Sequence, residues 1–193
     1  MRIGVLALQG GFAEHLVALY RLGVEGFLVK KPSDIVKGID ALIIPGGEST
    51  VIGKLVKEIG LFDPIKEFIN NGLPVFGTCA GMILMASEIE NDKTVHFGTL
   101  PVTVKRNAFG RQLGSFYTIG KFGDIKDVPM VFIRAPIITK AAETVRILAE
   151  INGQIVAAQQ GNLLVTAFHP ELTDDLTVHD YFLTCLVRGH GFG

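Results

Sequence analysis

The sequence of 193 residues contains no tryptophan, two cysteines and almost no net charge. Its 18 lysines and arginines nearly balance 19 aspartates and glutamates, so a net charge of −1 supplies no field to hold a phosphate backbone. No apolar run approaches the roughly 18 residues that span a bilayer, and no export signal is evident. We therefore expect a cytoplasmic protein without nucleic-acid or membrane partners, whose two thiols stay unpaired.

Apolar runs alternate with segments of helical spacing in the first half of the chain. The run RIGVLAL is typical of a strand buried on both faces, and residues 12–22 place apolar side chains at helical spacing before Gly23. Further strands are predicted in GFLVK, DALIIPGG and LPVFG, and further helices at 33–37, 49–59, 62–71 and 80–89. Such alternation predicts a mainly parallel sheet with helices on both faces.

From about residue 95 the pattern changes to short β-type runs separated by Gly, Asn or Asp turns. These runs are HFGTLPVTVKRN, GSFYTIGKF, VPMVFIRAP, VRILAEING, QIVAAQQGN and LLVTAFHP. A last amphipathic helix is predicted at 175–187. We expect one domain over residues 1–193: a three-layer α/β fold with a mixed, mainly parallel central sheet and antiparallel hairpins in the C-terminal half.

Three predicted strands of the first half end in glycine-rich turns: QGG at 9–11, PGGEST at 45–50 and GTCAG at 77–81. Because the carboxyl ends of parallel strands meet at one sheet edge, a ligand crevice is expected there. Glycine also serves tight turns that have no function. A phosphate site is disfavoured because PGGEST lacks the Walker lysine and QGG lacks the full G-x-G-x-x-G spacing.

The turn GTCAG places Cys79 at the junction of a strand and a helix. This is the arrangement of a nucleophile elbow, and the positive end of the helix dipole favours the thiolate form. The N–H of Ala80 would then donate to an oxyanion, with a second donor from the backbone near Gly46 and Gly47. The alternative is a buried structural cysteine, which suits Cys185 in YFLTCLV better.

A cysteine nucleophile needs a base, and His169 is the best placed of five histidines. It follows the apolar run LLVTAF, and Pro170 favours an extended backbone before it. Glu171 lies two residues on, so it points to the same side and can orient the imidazole. A strand-end histidine beside a solvated glutamate remains an alternative. The other histidines fit helix packing, a turn or the glycine-rich tail: His15, His179, His96 and His190.

Taken together, PGGEST, GTCAG and FHPE resemble the motifs of class I (triad) glutamine amidotransferases. More narrowly, the chain resembles the glutaminase subunits of pyridoxal 5'-phosphate synthase nearly from end to end. The narrow markers are RNAFGRQ and IRAP, which many other amidotransferases lack. One departure is Gly11, which stands where members of this family often carry alanine after QG.

The resemblance implies that Cys79 is the nucleophile, His169 the base and Glu171 its orienting acid in the hydrolysis of L-glutamine to L-glutamate and ammonia. It implies oxyanion donors at Ala80 and Gly47, and further glutamine contacts in this chain. These contacts are Gly46, Gly47, Glu48, Arg106, Ile133 and Arg134. The implied partner is a (β/α)₈-barrel synthase subunit, PdxS, that receives the ammonia; neither a cofactor nor a metal is implied.

Other interpretations of the same residues remain open at this point. Arg106 and Arg134, assigned to glutamine through the resemblance alone, are also compatible with surface or partner-facing charges. The chain would also fit a glutaminase subunit serving another acceptor, such as imidazole glycerol phosphate, or a catalytically silent binding subunit on the same fold. The peptidase and stress-response proteins of related architecture are disfavoured by PGGEST and RNAFGRQ.

Overall fold

The computed structural model describes residues 1–36, 38–109 and 114–189. His190, position 37 of the predicted short helix and positions 110–112 of RNAFGRQ therefore lie outside the described residues. Within the described ranges, no helix has the length and apolar character needed to cross a bilayer.

The first half of the chain alternates strands and helices, as its hydrophobic pattern predicts. Its strands are β1 Arg2–Leu6, β2 Glu25–Val29, β3 Ala41–Ile44 and β4 Val75–Thr78. Its helices are α1 Phe12–Arg21, α2 Pro32–Val36, α3 Ser49–Glu58, α4 Phe62–Asn70 and α5 Ala80–Met85. Every residue of β3 and β4 is buried, because helices cover both faces of this part of the sheet.

The second half consists mainly of strands. They are β5 Ala86–Ile89, β6 Leu100–Lys105, β7 Ser115–Phe122, β8 Ile125–Ile133, β9 Ile137–Ala141, β10 Arg146–Ile151, β11 Gln154–Gln160 and β12 Leu163–Thr166. A 3₁₀ turn at Pro170–Leu172 follows β12. The predicted last helix is α6 Thr177–Tyr181, which continues as a π-helical segment at Phe182–Arg188.

In the described part of the chain, ten strands form one sheet in the order β2-β1-β3-β4-β12-β11-β9-β6-β5, with β10 paired to β11. The pairings from β2 to β12 are parallel, and β11 pairs antiparallel with β12, β9 and β10. The predicted mixed α/β sheet is therefore confirmed. The hairpin β7–β8 forms a separate two-stranded sheet, so the two halves share one sheet except for this hairpin.

Two predictions of secondary structure were incorrect. The helix predicted at 80–89 ends at Met85, and Ala86 turns to extended backbone, with φ −59° and ψ 142°, at the start of β5. The helical spacing of Met82, Met85, Ala86 and Ile89 is real, but β6 supplies a parallel partner for the second half of this segment. The strand β9 was missed because only its first two residues are buried, which leaves no alternation to recognise.

The turn between β4 and α5 packs directly on the backbone of β3. A Cβ atom on Gly81 would lie 2.2 Å from the carbonyl oxygen of Ile44. Real Cβ atoms do not approach backbone oxygens this closely, so the position accepts glycine alone unless a strand moves. The close approach fixes where α5 begins relative to the end of β3.

This packing predicts that Gly81→Ala destabilises the fold. The added methyl group must displace backbone and not a flexible side chain, so we expect a loss of about 2 kcal/mol or more in the free energy of unfolding. Chemical denaturation measures the loss. Gly114→Ala is the matched control, because a Cβ there meets no atom within 4 Å. Equal stability of the two variants would contradict the packing argument.

Candidate active site

Cys79 lies in the sharp turn between β4 and α5. Its backbone has φ 48° and ψ −98°, a left-handed conformation that is uncommon for residues other than glycine and concentrates at functional sites. The Cys79 N–H donates to the carbonyl oxygen of Thr166 at 2.7 Å, which ties the turn to β12. The Sγ atom lies 3.9 Å from the carbonyl oxygen of Ile133. The structure therefore places the thiol at the elbow predicted from GTCAG.

His169 follows the end of β12 and is held by both backbone and side-chain contacts. Its N–H donates to the carbonyl oxygen of Val131 at 2.8 Å. Its ring Nδ1 lies 2.7 Å from Oε1 of Glu171, which belongs to the 3₁₀ turn after Pro170. Both side chains are buried. The glutamate is thus not solvated, which rules out one alternative for FHPE.

The pKa values of these two groups are shifted in opposite directions. Burial lowers the pKa of His169, but hydrogen bonds and charge interactions with Cys79 and Glu171 outweigh it and raise the pKa to about 10. Burial raises the pKa of Glu171, but the His15 and His169 rings outweigh it and lower the pKa overall. The geometry therefore favours an imidazolium beside the thiol and a carboxylate behind it.

The loop after β3 lies between the thiol and the turn after β1. The Gly46 N–H donates to Thr78 Oγ1 at 2.9 Å, and the Glu48 N–H donates to Gln9 Oε1 at 2.7 Å. A Cβ on Gly46 would lie 2.4 Å from the His169 ring, so the imidazole packs against bare backbone. The loop expected to provide an oxyanion donor through Gly47 is therefore fixed from both sides.

Ala80 is the first residue of α5 and is fully buried beside Cys79. The N–H groups in the first turn of a helix have no partner within the helix, so they are available to a ligand. Gly11 lies on the other side of the acid: a Cβ there would be 3.3 Å from Oε1 of Glu171. The one departure from the family pattern is therefore a neighbour of Glu171.

A cavity of about 390 Å³ opens above Cys79. Seven of the predicted site residues line it: Gly47, Glu48, Cys79, Arg106, Ile133, Arg134 and His169. Gly46, Ala80 and Glu171 are buried and lie outside this lining, and Glu171 contacts His169. The structure therefore brings the predicted site residues together at the carboxyl edge of the parallel strands.

The two arginines at this cavity differ in how they are held. Arg106 Nη1 lies 2.7 Å from Oδ2 of Asp92, and both side chains are partly buried. Arg134 has a backbone φ of 45°, and its side chain is mostly exposed. Its Nη2 atom lies 3.7 Å from Oε1 of Glu48, which also lines the cavity. Both arginines line the cavity.

Sequence reasoning missed four residues next to this site: Gln9, His15, Thr78 and His179. Helix packing was the default for the two histidines, and both are indeed buried on helices. The available signal was their position on the apolar faces, since His15 lies three residues after Phe12 and His179 three before Phe182. A buried polar ring requires a polar partner, which the pattern alone does not name.

Comparison with known proteins supports the interpretation of these motifs. The model of the SNO glutamine amidotransferase family matches residues 5–188. The chain belongs to this family. Among relatives of this SNO amidotransferase, "Pyridoxal 5'-phosphate synthase subunit PdxT" of Haemophilus influenzae (strain PittGG) is 52% identical over 95% of this chain and 97% of its own. PdxT of Streptococcus pneumoniae (strain ATCC 700669 / Spain 23F-1) is 53% identical over 95% and 96%.

Solved structures give the same result for the fold of this SNO amidotransferase. A crystal structure of a glutamine amidotransferase matches with a TM-score of 0.89 and 45% identity, and covers 94% of this chain and 97% of its own. The structure of PurLQS from Thermotoga maritima matches with a TM-score of 0.66 at 18% identity, over 96% and 98% of the two chains. The second likeness concerns the fold alone. The predicted amidotransferase-like fold and the resemblance to PdxT are thus confirmed.

The pKa shift of His169 generates a prediction about Glu171→Gln. The variant keeps the size of the side chain but removes the charge that favours the imidazolium, so the pKa of His169 should fall well below 10. NMR titration of the imidazole measures this value. A midpoint near 6.5 in the unchanged protein would contradict the interaction.

The same shift has a consequence for stability. Because the folded pKa of His169 lies above the ordinary 6.5, its protonation stabilises the fold fully below pH 6.5, and this contribution disappears as the pH rises towards about 10. In Glu171→Gln the loss should still begin near pH 6.5, which the unfolded chain sets, but it should be smaller and end at lower pH. Unfolding free energies measured across this range are the check.

Proposed function

We propose that this chain hydrolyses L-glutamine to L-glutamate and ammonia, with Cys79 as nucleophile, His169 as base and Glu171 as orienting acid. The observation that carries the proposal is one arrangement: the strained Cys79 elbow shares a cavity with an imidazole whose Nδ1 lies 2.7 Å from a buried carboxylate. Nucleophile, base and orienting group in this relation form the triad of covalent acyl transfer. Membership of an amidotransferase family adds independent support.

In the proposed reaction the Cys79 thiolate attacks the side-chain amide carbon of glutamine and forms a tetrahedral intermediate. The N–H groups of Ala80 and Gly47 stabilise its oxyanion. Protonated His169 gives its proton to the departing nitrogen, which leaves as ammonia, and the acyl group remains as a thioester on Sγ. His169 then takes a proton from water, which attacks the thioester and releases glutamate.

The cavity volume suits a substrate of the size of glutamine. We assign substrate binding to Gly46, Gly47, Glu48, Arg106, Ile133 and Arg134. Backbone groups of the glycine loop and an arginine suit the α-amino and α-carboxylate groups, and Asp92 holds Arg106 in place. A fixed cradle of this kind brings the amide carbon to the thiolate without a cofactor or a metal.

The proposed acceptor of the ammonia is a pyridoxal 5'-phosphate synthase barrel subunit, PdxS. Two relatives more than half identical to this chain are named as subunits of that synthase. Ammonia released into neutral water is largely protonated and loses its nucleophilicity, so a docked acceptor is needed. We place this glutaminase, as a single domain over residues 1–193, in the cytoplasm with that partner.

The surface around α1 is the proposed docking face. Val17 and Tyr20 on α1 are 57% and 83% exposed, and Leu172, next to the catalytic acid, is 43% exposed. Apolar side chains grouped beside the site are typical of an interface. Val17 and Leu172 line one groove with Glu171, and α1 begins directly after QGG, so this face lies beside both that turn and the proposed triad.

Cys79→Ala should abolish ammonia release from glutamine in the presence of the barrel subunit, because no other thiol reaches the cavity among the described residues. The matched control is Cys185→Ser, which changes the other free cysteine. Its thiol lies outside the cavity lining and is exposed, so the burial expected for Cys185 was wrong. The control variant should retain full activity. Activity in Cys79→Ala would refute the assignment of the nucleophile.

The partner is tested by supplying different synthases. Ammonia transfer should rise severalfold with the pyridoxal 5'-phosphate synthase barrel and not with an imidazole glycerol phosphate synthase barrel. The reverse result would assign the chain to another acceptor. A glutamine analogue that alkylates Cys79 distinguishes an active subunit from a silent one, since a silent binding subunit would leave the thiol unmodified.

A further inference from the structure

A chain of buried polar side chains continues behind the proposed triad. Glu171 Oε2 lies 3.6 Å from His15 Nε2, which also lies 3.3 Å from Thr78 Oγ1. On its other side, His15 Nδ1 lies 2.9 Å from His179 Nε2. The side chains of His15, Thr78 and His179 are at most 1% exposed, and that of Glu171 is 1% exposed. The elements α1, β4, the 3₁₀ turn and α6 therefore meet at one polar cluster.

The surroundings of His15 and His179 lower the pKa of both rings and so favour their neutral forms. Burial lowers the pKa of His15, with opposing effects from Glu171 and Glu14 and a further lowering by His169. Burial also lowers the pKa of His179, to about 3, reinforced by His15. A neutral imidazole carries one N–H and one bare nitrogen, so the cluster has two alternative proton arrangements.

In the first arrangement the proton of His179 is on Nε2 and points to His15 Nδ1. His15 then carries its own proton on Nε2, which faces Thr78 Oγ1 and the carboxylate of Glu171. The remaining nitrogen, His179 Nδ1, has no hydrogen-bond partner among the described residues. In this arrangement it carries no proton, so no N–H is buried there without an acceptor.

In the second arrangement His15 and His179 each carry the ring proton on Nδ1 instead of Nε2. His179 then buries an N–H on Nδ1 that no described residue accepts, which is costly. His15 also turns a bare Nε2 towards Glu171 Oε2, which itself has no hydrogen-bond partner among the described residues. The first arrangement turns an N–H towards the negative carboxylate, which is favourable. The second turns a lone pair towards it, which is unfavourable.

We propose that His15 is a positioning residue of the triad, fixed by His179 in the tautomer that directs its Nε2–H at Glu171 and Thr78. The inference rests on the proposed function, in which Glu171 orients His169. With a donor facing Oε2, the carboxylate stays ionised and directs Oε1 at His169 Nδ1. Thr78 also accepts the Gly46 N–H, so the same histidine supports the loop proposed to bind the oxyanion.

The tautomers of the unchanged protein are the first test. Nitrogen NMR of imidazole-labelled protein should show His15 and His179 neutral from pH 6 to pH 9, each protonated on Nε2. Protons on Nδ1 of either ring would overturn the proposal. This measurement needs neither glutamine nor a partner, so it stands apart from any failure of the proposed activity.

The second test compares His15→Leu with His15→Gln. Leucine removes the donor, so the NMR midpoint of His169 should fall by about one pH unit or more and kcat by about tenfold or more, with KM changed less than twofold. Glutamine places an amide N–H near the former Nε2 and should restore most of both values. An unchanged His169 midpoint in His15→Leu, or no rescue by glutamine, would overturn the proposal.

Phe76→Leu is the control for a merely structural role, because the Phe76 ring packs edge-on against both His15 and His179 and has no polar atom. It should lower the unfolding temperature without moving the His169 midpoint. If it moves the midpoint as far as His15→Leu does, packing explains the effect and the proposal fails. Should His15→Leu not fold, His15→Gln and the tautomer measurement decide.

Discussion

The backbone segments at the carboxyl edge of the parallel strands approach one another so closely that side chains do not fit between them. A Cβ on Gly10 would lie 1.7 Å from the carbonyl oxygen of Gly46, and one on Gly81 would lie 2.2 Å from that of Ile44. These contacts pack the backbones of the turns after β1, β3 and β4 against one another, and together these turns form the floor of the site. The elbow of Cys79 and the glycine loop owe their relative positions to it, and a nucleophile and its oxyanion donors must be fixed to a fraction of an ångström.

A single buried carboxylate organises the charges above this floor. Glu171 contacts His169 at 2.7 Å and faces His15 at 3.6 Å, while His179 lies one ring further away. The pKa of His169 is raised to about 10 and that of His179 is lowered to about 3. Burial acts on both rings in the same direction, so proximity to the carboxylate and the thiol decides which one holds a proton. Next to one acid, the pKa of one histidine is thus raised, while the pKa values of the other two are lowered.

The sequence predicted the three glycine turns, the elbow and the pair His169 and Glu171, because each follows from local spacing at a strand end. It did not predict that Gln9 caps the glycine loop through Glu48 N–H, nor that His15 and His179 meet. Those contacts join residues far apart in the chain, and periodicity reports only that a side chain faces the core. For the same reason α5 was predicted too long: the partner strand β6, which converts 86–89 to a strand, is specified by tertiary pairing.

The two halves of the chain contribute different parts of the site. The parallel half supplies the thiol and the backbone donors, whose positions follow from glycine packing at the sheet edge. The antiparallel half supplies Arg106, Ile133 and Arg134, and the Arg134 N–H donates to the Gly114 carbonyl oxygen at 2.6 Å to hold its left-handed turn. His169 lies where the halves meet, since β12 pairs with β4 on one side and β11 on the other. A shift between the halves would therefore move the imidazole relative to the thiol, so the proposed chemistry depends on that one junction.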